Sequence, residues 1–250
     1  MFDKVAIFLI GFVSGFLGST VGGGGFVSIP ALLYLGFTPQ SAIALNKIGD
    51  VGTFISAVRK YWKSKKIDWN LAGTITCIYI IGSFLGTKIM VLLNANVLEI
   101  LVYITIALAL PLLVFKRDLG IKKVSTSKLK KSVGYILLFL LSIIGAVIGA
   151  GGAVVSTIVM IYFFGFEIVK GHATTTPSKF FSASIPAVIY YYHGFIPIIP
   201  GIMIFTGMLL GGLVGASFAV SAGNKWIKTF LLGVICFFIL YGILNSIYMK

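Results

Sequence analysis

Apolar segments cover almost the whole of this 250-residue chain, and only short polar stretches separate them. Mean hydropathy is +1.07, and charged residues make up 10% of the sequence, against about 25% in an ordinary soluble domain. Since a crossing helix needs about 20 apolar residues, at most about ten crossings fit, with no room for a separate soluble domain. The sequence therefore predicts an all-α polytopic membrane protein. The apolar segments are 5–21, 26–36, 39–58, 69–93, 97–115, 133–148, 153–164, 167–192, 197–222 and 226–248.

Two of these segments, 26–36 and 153–164, are too short to span a bilayer alone. Each comes directly after a glycine cluster, at residues 22–25 and 149–152, that would interrupt a helix. We therefore expect each cluster to join two half-length helices into a hairpin.

An internal repeat relates the two halves of the chain. A shift of 127 residues superimposes three glycines of 22–25 on three of 149–152, and a shift of 129 then aligns Tyr61 with Tyr190. The sequence predicts a duplication in which each repeat begins with a glycine-broken helical hairpin. The predicted units are a first transmembrane repeat over 1–116, a basic cytoplasmic linker over 117–131 and a second transmembrane repeat over 132–250.

Basic residues are concentrated in two loops, with five in 59–66 and seven in 116–131. Positive loops stay in the cytoplasm, so the formal net charge of +14 is interpreted as orientation of the chain and not as affinity for nucleic acid. The second-half loop that matches 59–66, residues 193–196, has no lysine. This difference predicts two inverted-topology repeats, with both termini and residues 193–196 outside. A parallel repeat with a single crossing in each glycine unit is the alternative.

The paired glycine clusters predict where a substrate binds. A helix broken within the membrane exposes N–H groups at the start of the next half-helix, and these donors form an anion site together with the helix dipole. Polar side chains follow each hairpin at matching places in the two halves. The predicted substrate-binding residues are Gly22, Gly23, Gly24, Gly25, Asn46, Lys47, Gly149, Gly151, Gly152, Thr175, Ser178 and Lys179.

The ionisable residues of these patches allow more than one role. Lys47 and Asp50 are three residues apart and can form a self-contained ion pair on one helix face. Lys179 has no acidic residue within a helical turn, so a bound anion is its predicted partner. A distant Asp50 and depressed basicity from burial are the alternatives. His172 is either a proton relay or a hydrogen-bonded structural residue. Asp50 and His172 are therefore the candidates for ion coupling.

No cluster of residues predicts an enzyme. The six acidic residues provide no paired carboxylates for acid-base chemistry. Cys77 and Cys236 both lie in apolar runs without a nearby histidine. We predict no catalytic site, no metal and no cofactor.

Several motifs recur in order in the two halves of the chain. They are GSTVGGGGFVSIP at 18–30, LGFTP at 35–39 and AIALN at 42–46, and then IGAGG at 148–152, ATTTPSKF at 173–180 and GFIP at 194–197. These motifs resemble the signature of the sulfite exporter TauE/SafE family over nearly the whole chain.

This resemblance implies a small carrier in the cell membrane for sulfite, organosulfonates, related sulfur-containing anions or small carboxylates, coupled to an ion gradient. The implied partners are a small anionic substrate, the lipid bilayer and a coupling ion, and the oligomeric state is left open. An anion channel and a non-transporting membrane scaffold are the alternatives.

Overall fold

A computed structural model describes residues 4–20, 22–98, 100–101, 120 and 125–248, with side chains up to 227 and at 229. The described residues form α-helices and connecting turns, without a β-strand. The helices are α1 (Lys4–Thr20), α2 (Gly24–Tyr34), α3 (Pro39–Lys63), α4 (Trp69–Leu92), α5 (Lys128–Ile148), α6 (Gly152–Phe164), α7 (Ile168–Tyr192) and α8 (Ile198–Tyr248). Helix α8 is interrupted at Gly223, where the backbone is not helical.

Several helices are long and apolar enough to cross a membrane. Among the described residues these are α4, α5 and the Ile198–Ile227 part of α8. A fourth results if α6 and α7, which meet at a bend of 119°, are counted as one broken span. Helix α3 is 25 residues long but carries several charged side chains. The predicted all-α polytopic membrane fold is confirmed, and the segment predicted at 97–115 lies mostly outside the described residues.

Both glycine clusters break the helices where the sequence predicts a break. One lies between α1 and α2, and the other lies between α5 and α6. Gly22, Gly149 and Gly151 have φ angles of +92°, +78° and +77°, which L side chains rarely adopt. The predicted glycine-broken hairpins are confirmed.

Side-chain caps fix the starts of three helices. A cap accepts a hydrogen bond from one of the first backbone N–H groups, which have no partner inside the helix. The capping side chains are those of Thr38 at α3, Asp68 at α4 and Ser127 at α5.

Helix contacts follow the same pattern in both halves of the chain. Helix α1 packs on α8 as α5 packs on α4, and α3 packs on α8 as α7 packs on α4. The buried Tyr61 hydroxyl donates a hydrogen bond of 2.6 Å to the Ser19 carbonyl. The Tyr190 hydroxyl donates one of 2.9 Å to the Ala146 carbonyl. These matched contacts are those expected of a duplicated chain, and the inverted orientation of the halves stays a prediction.

Membrane topology can be tested by labelling single cysteines at exposed positions. In a chain without native cysteines, we expect a cysteine at His193 to react only from outside and one at Lys63 or Trp226 only from the cytoplasm. An impermeant maleimide applied to intact cells and to inverted vesicles measures this. Labelling of position 193 from the cytoplasm, with position 226 reached only from outside, would favour the parallel repeat.

Candidate functional site

A small cavity of about 50 Å³ lies where α3, α4 and α7 meet the hairpin of α5 and α6. Its walls combine charged groups, the glycine turn between α5 and α6, and apolar side chains. Two lysines and one aspartate give the lining a formal charge of +1. The lining residues are Lys47, Asp50, Phe54, Tyr79, Leu141, Gly145, Gly149, Gly152, Ala153, Lys179, Ser182 and Ala183.

Lys47 and Asp50 face the cavity as an ion pair on α3. The distance between Lys47 Nζ and Asp50 Oδ2 is 4.0 Å, and both residues are buried. The Asn46 amide donates a hydrogen bond of 3.1 Å to the same carboxylate oxygen. The carboxylate therefore has two partners on its own helix, as the spacing in the sequence allows.

Asn46 also joins three elements around the glycine turn. Its Nδ2 group donates a second hydrogen bond of 3.1 Å to the Gly149 carbonyl, and its Oδ1 atom accepts a hydrogen bond from Ser28 on α2. Asn46 is fully buried. Its side chain therefore holds the turn between α5 and α6 against α2 and α3.

Asn46→Ala is expected to lower the free energy of unfolding by about 2 kcal/mol, because the Gly149 carbonyl and the Ser28 hydroxyl lose a buried partner. Asn70→Ala, at an exposed position near the start of α4, is the matched control and should change stability little. Thermal melts of both variants in detergent measure the difference. Equal melting temperatures would contradict this structural role for Asn46.

Lys179 is a buried cation held by uncharged groups. Its Nζ atom donates a hydrogen bond of 3.3 Å to the Ala153 carbonyl and lies 3.3 Å from His172 Nδ1. The side chain is 4% exposed, and no carboxylate oxygen of the described residues lies within 4.0 Å of it. Since Ala153 belongs to the first turn of α6, the ammonium adds to the positive potential at that helix N-terminus. This combination favours an anion in the cavity.

His172 contacts Lys179 but does not itself line the cavity. Its Nδ1 atom lies 3.0 Å from the Thr157 hydroxyl, and its Nε2 atom faces the carbonyls of Gly18 and Ser19 without a hydrogen bond of normal geometry. The imidazole therefore connects Lys179 to the end of α1.

Five of the residues predicted to form the site line the cavity, and others lie beside it. Asn46 and His172 contact lining groups, as described above. Gly151 belongs to the same turn as two of the lining glycines. The five lining residues are Lys47, Asp50, Gly149, Gly152 and Lys179.

The first glycine cluster packs against the second hairpin and does not line the cavity. A Cβ atom at Gly25 would lie 2.5 Å from the Gly149 carbonyl oxygen, and one at Gly22 would lie 2.7 Å from the Ala153 carbonyl carbon. A Cβ atom at Gly24 would lie 2.5 Å from the carbonyl oxygen of Ser14 on α1. Gly23 precedes α2 as its N-cap. Gly22 and Gly25 therefore allow the two hairpins to meet at backbone distance, and Gly24 allows α2 to approach α1.

Thr175 and Ser178 also lie away from the cavity. The Thr175 hydroxyl bonds to carbonyls of its own helix, at Gly171 and His172. The Ser178 hydroxyl lies 3.1 Å from that of Thr76 on α4. Their polar groups therefore have partners within the helix bundle.

The cavity includes two polar residues that the sequence prediction did not name. Ser182 follows Lys179 by three positions on α7, so helical spacing could have identified it. Tyr79 lies in the middle of α4, and its spacing gives no signal. Its hydroxyl lies close to the Ser156 side chain on α6, where α4 packs against the hairpin.

Comparison with known families identifies one match that covers most of the chain. The sequence model described as sulfite exporter TauE/SafE matches residues 7–242. No solved structure gives a significant match.

Curated bacterial relatives are similar over most of their own length. A probable membrane transporter protein of Haemophilus influenzae is 26% identical over 233 residues, covering 90% of this chain and 89% of the relative. The probable membrane transporter protein ORF9 of a Sinorhizobium species is 26% identical, covering 90% and 86%. The probable membrane transporter protein YunE of Bacillus subtilis is 25% identical, covering 85% and 87%.

Proposed function

Because the chain belongs to the sulfite exporter TauE/SafE family, we propose that it is a secondary carrier that binds a small anion in the cavity between α3, α7 and the second hairpin. The family is one of membrane transporters, as the names of the relatives indicate. The proposed substrates are sulfite, an organosulfonate or a related sulfur-containing anion, and the sulfur chemistry rests on family membership. In this proposal the chain is a transporter without enzymatic activity.

The observation that supports this proposal best is the environment of Lys179. A cation buried at membrane depth is costly, by about 3 kcal/mol on insertion scales, and Lys179 has only uncharged hydrogen-bond partners among the described residues. An anion in the cavity would compensate the ammonium and accept a hydrogen bond from the Ala153 N–H group, because the N–H groups of Gly152, Val154 and Val155 already donate to the carbonyls of Ala150 and Gly151. Charged hydrogen bonds of this kind are stronger than neutral ones.

The cavity suits a small substrate. Its volume of about 50 Å³ exceeds the roughly 10 to 15 Å³ that a cavity needs to hold one water molecule, so it accommodates one small oxyanion group. Phe54 and Leu141 form part of the wall and would contact an apolar substituent. We assign ion coupling to Asp50 and His172, because Asp50 lies on the cavity and His172 contacts Lys179.

Counterflow in liposomes tests the proposed function. We expect purified protein to accumulate radiolabelled sulfite when excess unlabelled sulfite is trapped inside, and uptake to saturate with concentration. Protein-free liposomes and liposomes without internal sulfite are the controls. Rapid uptake without saturation or counterflow would indicate a channel, and uptake equal to that of empty liposomes with sulfite and with organosulfonates would indicate a scaffold.

A further inference from the structure

The last turns of α3 and the loop that joins α3 to α4 carry a cluster of basic side chains, and we propose that this cluster binds the phosphate headgroup of an anionic phospholipid. No carboxylate oxygen of the described residues lies within 4.0 Å of any of these cations. Asp68, the acidic residue that follows them, is occupied as the N-cap of α4. The cluster, called the basic loop below, consists of Arg59, Lys60, Lys63, Lys65 and Lys66.

Two tryptophans stand beside the basic loop. Trp62 is 63% exposed and Trp69 is 48% exposed, and their rings pack edge to face with centroids 6.0 Å apart. Indole rings are favoured where acyl chains meet headgroups, since one part of the ring is apolar and the N–H group is polar. The pair marks the depth of the bilayer interface, and at this depth the lysines reach phosphate groups.

The conformation of the loop does not itself require lysine. Lys65 has a φ angle of +53°, in the left-handed region, and the position matched to it in the second half is Gly194, with a φ angle of +74°. The second-half loop forms a similar turn and carries no lysine or arginine between 188 and 195. Glycine would therefore suit the turn better than lysine does.

The positive charge of the basic loop favours an anionic partner. Cytoplasmic orientation accounts for the number of basic residues, but after insertion these cations still lack protein partners in the described structure. Juxtamembrane basic clusters attract anionic lipid headgroups. The exposed tryptophan pair favours a lipid over a soluble anion, because only a lipid fills both the cationic and the apolar part of this surface.

Lipid titration of the purified protein in detergent tests this site independently of transport. We expect phosphatidylglycerol to raise the melting temperature by about 5 °C at saturation, and phosphatidylcholine to have little effect. The combined variant Lys63→Gln, Lys65→Gln, Lys66→Gln should need at least about tenfold more phosphatidylglycerol for the same rise in melting temperature. The control is Lys4→Gln, Lys88→Gln, which removes two exposed charges that lie outside both basic clusters and should behave as the unchanged protein does.

Three results would overturn the proposal. These are equal stabilisation by both lipids, equal loss of the phosphatidylglycerol effect in the basic-loop variant and in the control variant, and the same stabilisation by inorganic phosphate, which would show a soluble anion as the ligand. If the basic-loop variant does not fold, Lys65→Gly replaces it, because glycine suits the left-handed turn. That variant should fold and need about fivefold more phosphatidylglycerol, and an unchanged requirement would also contradict the proposed site.

Discussion

Lys179→Met is expected to weaken sulfite binding at least about tenfold while the protein keeps its fold. The loss of affinity follows from removing a charge-assisted hydrogen bond to the anion, worth about 1.5 to 3 kcal/mol. The fold should persist because methionine has a similar length and replaces a buried charge that has no carboxylate within 4.0 Å in the described structure. Equilibrium binding of radiolabelled sulfite and thermal melts in detergent measure the two effects.

The matched control for this variant is Lys131→Met. Lys131 is an exposed lysine at the start of α5, so its loss should change neither affinity nor melting temperature appreciably. If Lys179 instead pairs with Asp50, then Lys179→Met should destabilise the protein and Asp50→Asn should partly restore it. A stable Lys179→Met protein that binds sulfite normally would contradict the role assigned to Lys179.

Gly25→Ala is expected to abolish most sulfite uptake, because the two hairpins meet there at backbone distance. The added Cβ atom would lie 2.5 Å from the Gly149 carbonyl oxygen and 3.0 Å from the Ala150 Cα atom. Neither backbone atom can move aside without displacing the turn that forms one wall of the cavity. Overpacking of this kind costs about 3 kcal/mol.

Gly73→Ala is the control for this substitution. A Cβ atom at Gly73 meets no atom within 4 Å, so alanine fits there and uptake should stay normal. Surface biotinylation would confirm that both variants reach the membrane. Normal uptake by Gly25→Ala would show that the glycine clusters are only flexible joints.

The breaks in the helices could be predicted from sequence because glycine clusters act locally. A run of glycines interrupts a helix in any packing environment, and the left-handed φ angles at Gly22 and Gly149 are open to few other residues. The Lys47–Asp50 pair could also be predicted from sequence, since residues three apart on a helix share a face.

The direction in which polar side chains point was harder to predict than the helix breaks. Helix α7 contacts α3 on one side and α4 on another, so polar residues on it have several possible partners. Ser178 was expected at the anion site, but its hydroxyl contacts Thr76 on α4. The rotation of α7 relative to its neighbours depends on long-range packing, which a single helical pattern does not encode.

The unequal contribution of the two hairpins also depends on packing. The repeat aligns Phe26 with Ala153, and both follow the last glycine of their cluster. Ala153 lines the cavity, whereas the larger Phe26 is buried in the apolar core. A bulky side chain at this position in the first half and a small one in the second are consistent with the position of the cavity beside the second hairpin.

The central claim is that an anion binds between Lys179 and the first turn of α6. Selenite has the shape and charge of sulfite and contains an anomalous scatterer, so a crystal soaked with it can locate the site directly. We predict an anomalous peak beside Lys179 Nζ, at the distance expected when a selenite oxygen accepts a hydrogen bond from it, lost on competition with sulfite and reduced in Lys179→Met. Well-ordered density for the cavity residues without such a peak, at selenite concentrations that inhibit sulfite uptake, would contradict the claim.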